Sequence, residues 1–121
     1  MPASDDASRV LVDMARLRER FDDDEALLAE IFQVFEGEAA ERRAGFEAAL
    51  AAGDLDALTR RAHSLKGVAA TMFAEPLRQA AYTLEMAARA GEVAAVAGHV
   101  AAVLALLEAT CRYVQGLPRA C

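Results

Sequence analysis

The chain has 121 residues, enough for one domain with a modest core; 55% of them are hydrophobic, with no Trp and three Pro. A formal net charge of −6 argues against nucleic acid as the main partner, because a phosphate backbone requires a basic surface. No apolar run is expected to approach the roughly 18–20 residues of a membrane span, and the acidic start Met1-Pro2-Ala3-Ser4-Asp5-Asp6 lacks the basic and apolar parts of a signal peptide, so a cytoplasmic protein without a membrane partner is expected.

Abundant Ala and Leu with Arg and Glu at polar positions predict an all-α domain occupying residues 1–121. A first, short helix is expected over about 5–20, capped by Ser4, with Val10, Met14, Leu17 and Phe21 on one face. The acidic run Asp22-Asp23-Asp24-Glu25 lacks the Gly and distal Glu of a calcium loop; Asp22 or Asp23 is expected to cap the next helix. That helix runs over about 23–51, with Leu28, Ile31, Phe32, Phe35, Ala39, Phe46, Ala49 and Leu50 as its buried stripe. Gly37 and Gly45 inside it imply either a close approach of another backbone or a slight bend.

Gly53-Asp54 reads as a left-handed stop followed by a new cap. In the next helix, about 55–72, Leu55, Leu58, Ala62, Leu65, Ala69 and Met72 alternate at spacings of three and four, a seam of a and d positions. Pro76 opens a helix over about 75–90 with Leu77, Ala81 and Leu84 facing inward, and Gly91 ends it. The last helix, about 92–115, carries Val93, Val96, Val100, Val103, Leu107, Cys111 and Val114 on one face, with Gly116 and Pro118 beyond it. Short connections predict an antiparallel four-helix bundle with the N-terminal helix across one end. The seams use up the apolar positions, so a monomer is expected. Cys111 should be a small buried hydrophobe and the terminal Cys121 structurally idle; two cysteines make no disulfide framework.

Ala62-His63-Ser64-Leu65-Lys66-Gly67 holds one of only two histidines and the only lysine. With Leu55 at a, His63 falls at b, facing solvent, together with Thr59 and Lys66 at e and Arg60 and Gly67 at f. An exposed imidazole is mostly uncharged at neutral pH and offers a nucleophilic lone pair toward phosphorus. Lys66, one turn on, is a compact positive charge suited to a phosphoryl group. Gly67, at i+4, leaves room beside the ring for a second protein. Residues 42–66 hold five basic side chains (Arg42, Arg43, Arg60, Arg61 and Lys66) against three acids, a basic patch in an acidic chain that suits an acidic partner. His99 lacks an adjacent Lys-Gly pair and is expected to be structural. Neither histidine has a second ligand at i+3 or i+4, so no metal site is expected.

The hexapeptide, followed by Ala74-Glu75-Pro76-Leu77 and Leu84-Glu85, resembles the signature of histidine-containing phosphotransfer (HPt) domains, and the likeness covers most of the chain. It implies that His63 accepts a phosphoryl group from an aspartate of one receiver domain, in a hybrid histidine kinase, and passes it to another, in a response regulator. Lys66 would match the motif lysine and Gly67 the small residue near the ring. The chain would be a phosphocarrier rather than an enzyme, with no cofactor of its own, the receiver supplying magnesium and carboxylates. No glycine-rich phosphate loop or kinase ATP signature occurs in the sequence. Thr59, Arg60, Arg42, Arg43 and Phe35 are candidates for the partner surface. The resemblance is interrupted at Phe73, where the family often has Gly. Two other readings share the pattern: the phosphoaccepting domain of a chemotaxis-type kinase, and a helical adaptor that is never phosphorylated.

Overall fold

A computed structural model of the chain describes residues 10–117, which form five helices. These are α1 (Met14–Arg20), α2 (Glu25–Ala52), α3 (Leu55–Thr71), α4 (Glu75–Arg89) and α5 (Val93–Gln115). Helix α2 packs on α3 and α5, and α4 packs on the same two, so α2 to α5 close into an antiparallel ring with α3 diagonal to α5. The seam of α3 is buried as its spacing predicts: Leu58, Ala62, Leu65 and Ala69 are at most 1% exposed, and Met72 continues it just past the helix end. Phe32, Phe35 and Phe46 from α2, Leu77 and Leu84 from α4, and Val100, Val103 and Leu107 from α5 fill the space between.

Three aspartates start three helices by the same device. Asp13, Asp24 and Asp54 each accept a hydrogen bond from the backbone N–H three residues on, in Arg16, Leu27 and Ala57, at 3.0–3.1 Å. The expected cap of α2 therefore moves by one or two residues: it is Asp24, while Asp22 and Asp23 sit in left-handed conformations with φ of 55° and 54°. The three consecutive aspartates are chemically equivalent caps, and the chain reversal after α1 selects among them. The first helix is shorter than the expected 5–20. Asp13 starts it, Val10 is 62% exposed, and Val12 enters the core in its place. The Ser4 cap lies outside the described residues, as do Pro118 and Cys121.

Helix ends also repeat a motif. After α2, Gly53 N–H bonds Leu50 O and Asp54 N–H bonds Ala49 O; after α4, Gly91 and Glu92 do the same to Ala88 and Ala87. After α3 the paired bonds run from Phe73 to Ala70 and from Ala74 to Ala69. This is the Schellman closure, whose penultimate donor takes positive φ: 65° at Gly53, 77° at Gly91, and 56° at Phe73. The turn thus keeps its shape with an aromatic residue in the glycine slot. Phe73 packs partly against the core, and its carbonyl accepts the Asp13 N–H at 2.9 Å, which ties the start of α1 to the turn between α3 and α4.

Two expectations about α5 need correction. Val93 is 69% exposed, because the helix begins there and its first residue precedes the packed turn. The 23-residue α5 is also long and apolar enough, by length and composition alone, to cross a membrane, contrary to the expectation that no run would be. Here Val96, Val100, Val103, Leu107 and Val114 are buried within the bundle. Cys111 is half-buried rather than buried; desolvation and the nearby Glu36 and Glu108 carboxylates push its thiol pKa up.

Candidate functional site

Helix α3 carries His63 on the outer side of its seam, with the side chain 67% exposed. Its neighbours Ala62 and Leu65 are fully buried, so the backbone beneath the ring is fixed by the core. Across the seam with α4 lies Glu85, only 3% exposed. Its Oε2 is 2.9 Å from His63 Nδ1 and 2.8 Å from an Arg89 Nη, and its Oε1 is 2.7 Å from Lys66 Nζ. One buried carboxylate therefore gathers three nitrogen groups. Lys66 is further held over the ring of Tyr82, 5.4 Å from the centroid.

This arrangement fixes the tautomer. Burial pushes the Glu85 carboxyl pKa up, but hydrogen bonds and charge from Lys66 and His63 outweigh that and leave it below the usual value. An ionised carboxylate only accepts hydrogen bonds, so Nδ1 carries the proton and donates it. In the neutral ring the lone pair is then on Nε2, which has no hydrogen-bond partner among the described residues. The ring presents one oriented, unengaged nucleophilic nitrogen to solvent.

Glu85 is the site residue that sequence reasoning left without a role. Its signal was position: it follows Leu84 and lies four residues beyond Ala81, on the buried stripe of α4, where an acid needs a partner. Gly67 is exposed, and a Cβ built on it would meet nothing within 4 Å, so packing within the chain does not require glycine there.

The candidate partner residues divide between faces. Arg42 and Arg60 line one groove between α2 and α3, with Gly37, Glu38, Glu41 and Ser64. Thr59 donates its hydroxyl to Leu55 O and is half-buried. Arg43 lies on the other side of α2: it pairs with Glu47 and with Glu108 of α5, diagonal to α3, which removes it from the His63 face. Phe35 is 2% exposed and is core, not surface. At Gly45 the three atoms nearest a built Cβ all belong to the Arg61 guanidinium, the far end of a flexible side chain. His99 is half-buried between α4 and α5 beside Tyr82 and Met86. No group of three or more His, Cys, Asp or Glu placed to hold a metal occurs among the described residues.

The Hpt domain family matches residues 30–113, which include every member of the His63 cluster. Among solved structures, the chain is similar to the crystal structure of histidine-containing phosphotransfer protein B (HptB) from Pseudomonas aeruginosa PAO1. The two are 29% identical with a TM-score of 0.75, over 89% of this chain and 94% of that one. No curated protein matches the sequence.

Proposed function

Because the chain belongs to the Hpt domain family, we propose that it is a phosphocarrier whose His63 relays a phosphoryl group between aspartates of two receiver domains. One receiver would belong to a hybrid histidine kinase and the other to a response regulator. The observation that carries the reading is the Nδ1–Glu85 hydrogen bond, which leaves an exposed Nε2 as the nucleophile.

In this reading the Nε2 lone pair attacks phosphorus in line with the aspartyl oxygen. The N–P bond forms as the P–O bond breaks, and the leaving electron pair returns to the receiver carboxylate. The Nδ1 proton stays in place, so the ring becomes a phosphoimidazolium, and the Glu85 carboxylate 2.9 Å away offsets its new positive charge. Onward transfer reverses these changes at a second aspartate. Lys66 can turn from Glu85 toward the phosphoryl oxygens. The magnesium ion and the acid cluster belong to the receiver, and the carrier itself is non-catalytic, monomeric and cytoplasmic. Gly67 and the Arg60 side of α3 form the surface on which the receiver rests.

The test is label transfer from a phosphorylated receiver domain. His63→Gln should lose all acid-labile, base-stable phosphate while its helical circular dichroism and melting curve stay as in the wild type. Undiminished transfer in that variant would sink the assignment.

A further inference from the structure

We infer that Tyr82 is a positioning residue for phosphoryl transfer: its ring is a second seat for Lys66, which keeps the ammonium beside the His63 imidazole while the Glu85 contact is given up. The inference deepens the phosphocarrier reading and rests on it.

Tyr82 lies on α4, one turn before Glu85, and is 44% exposed while Glu85 is only 3% exposed. Lys66 Nζ reaches both, 2.7 Å from Glu85 Oε1 and 5.4 Å from the centroid of the Tyr82 ring. One turn of α4 therefore offers the same cation a buried carboxylate and, nearer the surface, the negative face of an aromatic ring. The Tyr82 hydroxyl has no hydrogen-bond partner among the described residues, so the face of the ring, and not its polar tip, is what the cluster uses.

The chemistry needs such a seat. A lysine side chain is long and rich in rotamers, and fixing it costs entropy. Glu85 fixes Lys66, but on the Nδ1 side of the imidazole, whereas in the carrier reading the phosphoryl group forms on Nε2. Lys66 must leave the carboxylate to meet the phosphoryl oxygens. An ammonium released into water regains its freedom. One that keeps the ring does not, and an uncharged ring does not compete with the incoming dianion as a carboxylate would. The departure leaves Glu85 paired, since Arg89 remains 2.8 Å from Oε2 and the imidazole donates to the same oxygen. Among the described residues no aromatic ring lies beneath the Arg89 guanidinium, so Arg89 is the cation that stays and Lys66 the one that is guided across.

The experiment uses the full chain, in which Lys66 is the only lysine, so its side-chain NMR signals are assigned by residue type alone. The ring current of residue 82 should shift the Lys66 Cε protons upfield in the wild type and in Tyr82→Phe. Tyr82→Leu should return them to the position of a free lysine. Labelling of His63 by phosphoramidate, which needs no docking surface, should slow about three- to fivefold in Tyr82→Leu, the span of a cation–π contact at a partly exposed site. Tyr82→Phe should keep the wild-type rate. With a phosphorylated receiver, Tyr82→Leu should lower the maximal rate by the same factor and leave the half-saturating receiver concentration unchanged. In a Lys66→Met background, Tyr82→Leu should change neither rate. Equal slowing with and without Lys66 overturns the inference, as does a Tyr82→Phe as slow as Tyr82→Leu. A shift in half-saturation in place of the maximal rate also overturns it, because Tyr82 would then be a contact for the receiver. If phosphoramidate labels the wild type and Tyr82→Leu equally fast, the carrier reading stands and the role of Tyr82 falls. If neither phosphoramidate nor any receiver labels the wild type, the carrier reading falls and takes the role of Tyr82 with it.

Discussion

The Glu85 carboxylate lies 2.9 Å from His63 Nδ1, across the seam between α4 and α3, and is almost wholly buried while the imidazole is mostly exposed. The ring is thus held from beneath by a group that solvent barely reaches and is open on the side where a partner approaches. Orientation, tautomer and charge compensation all follow from this one contact.

Glu85→Gln keeps the shape and removes the charge. Its amide can still accept from Nδ1, but it no longer offsets a phosphoimidazolium or binds the Lys66 ammonium as an ion pair. Transfer to His63 should fall by roughly 10- to 100-fold, in the range of a lost charged positioning partner. Loss of the residual label in the Glu85→Gln/His63→Gln double variant should show that it is still on His63. Initial rates with a phosphorylated receiver measure this, and a wild-type rate would remove Glu85 from the mechanism.

The same carboxylate predicts a pH dependence of stability. Its pKa in the folded protein is lowered from the ordinary 4.5, because the Lys66 and His63 contacts outweigh the cost of burial. A lowered pKa means that the stabilisation is fully present above the unfolded value and is lost as pH falls through the folded one. The Tm of the wild type should therefore drop more steeply than that of Glu85→Gln between about pH 5 and pH 3. Glu75, held low chiefly by its hydrogen bond from Arg78, contributes in the same window but equally in both proteins, so the difference between the two curves isolates Glu85.

How far the sequence reaches follows from these residues. The α3 seam was legible because Leu58, Ala62, Leu65 and Ala69 obey one spacing, and that spacing put His63 outside. Glu85 was legible only as an acid on the buried stripe of α4; its partners were not, since only the fold brings Lys66 and His63 to it. Arg43 and Arg42 are adjacent in sequence, yet α2 turns them to different seams: one meets α5 and the other the groove beside α3. The start of α1 was misplaced because Val10 continued the helical period, while the chain turns at Val12 and Asp13 to reach Phe73.

Gly67→Ala should separate stability from transfer. The position is helical and exposed, and nothing obstructs a methyl group, so the variant should gain about 1 kcal/mol. That methyl stands one turn beyond the imidazole, on the side a receiver must approach. Transfer should slow by roughly tenfold, as expected when reacting atoms are held slightly too far apart. Denaturant melts and transfer rates on the same preparation decide it; a more stable protein with undiminished transfer would leave Gly67 without a role in access.

Phe73 supplies the last prediction, because it holds a left-handed φ of 56° that its two counterparts, Gly53 and Gly91, adopt without strain. For an L-residue that conformation costs roughly 1–2 kcal/mol. Phe73 offsets the cost by packing partly against the core, so replacing it changes two things at once. Comparing Phe73→Ala with Phe73→Gly separates them. Both lose the aromatic contact, but only alanine keeps the strain. Phe73→Gly should therefore be more stable than Phe73→Ala by about 1 kcal/mol, the reverse of the order at Gly37, where alanine should be the more stable by a similar amount. Chemical denaturation of the four proteins reads both differences. If alanine is the more stable residue at 73 as well, the turn after α3 is not held in the left-handed form, and the hydrogen bond from Asp13 to Phe73 that anchors α1 there must be placed differently.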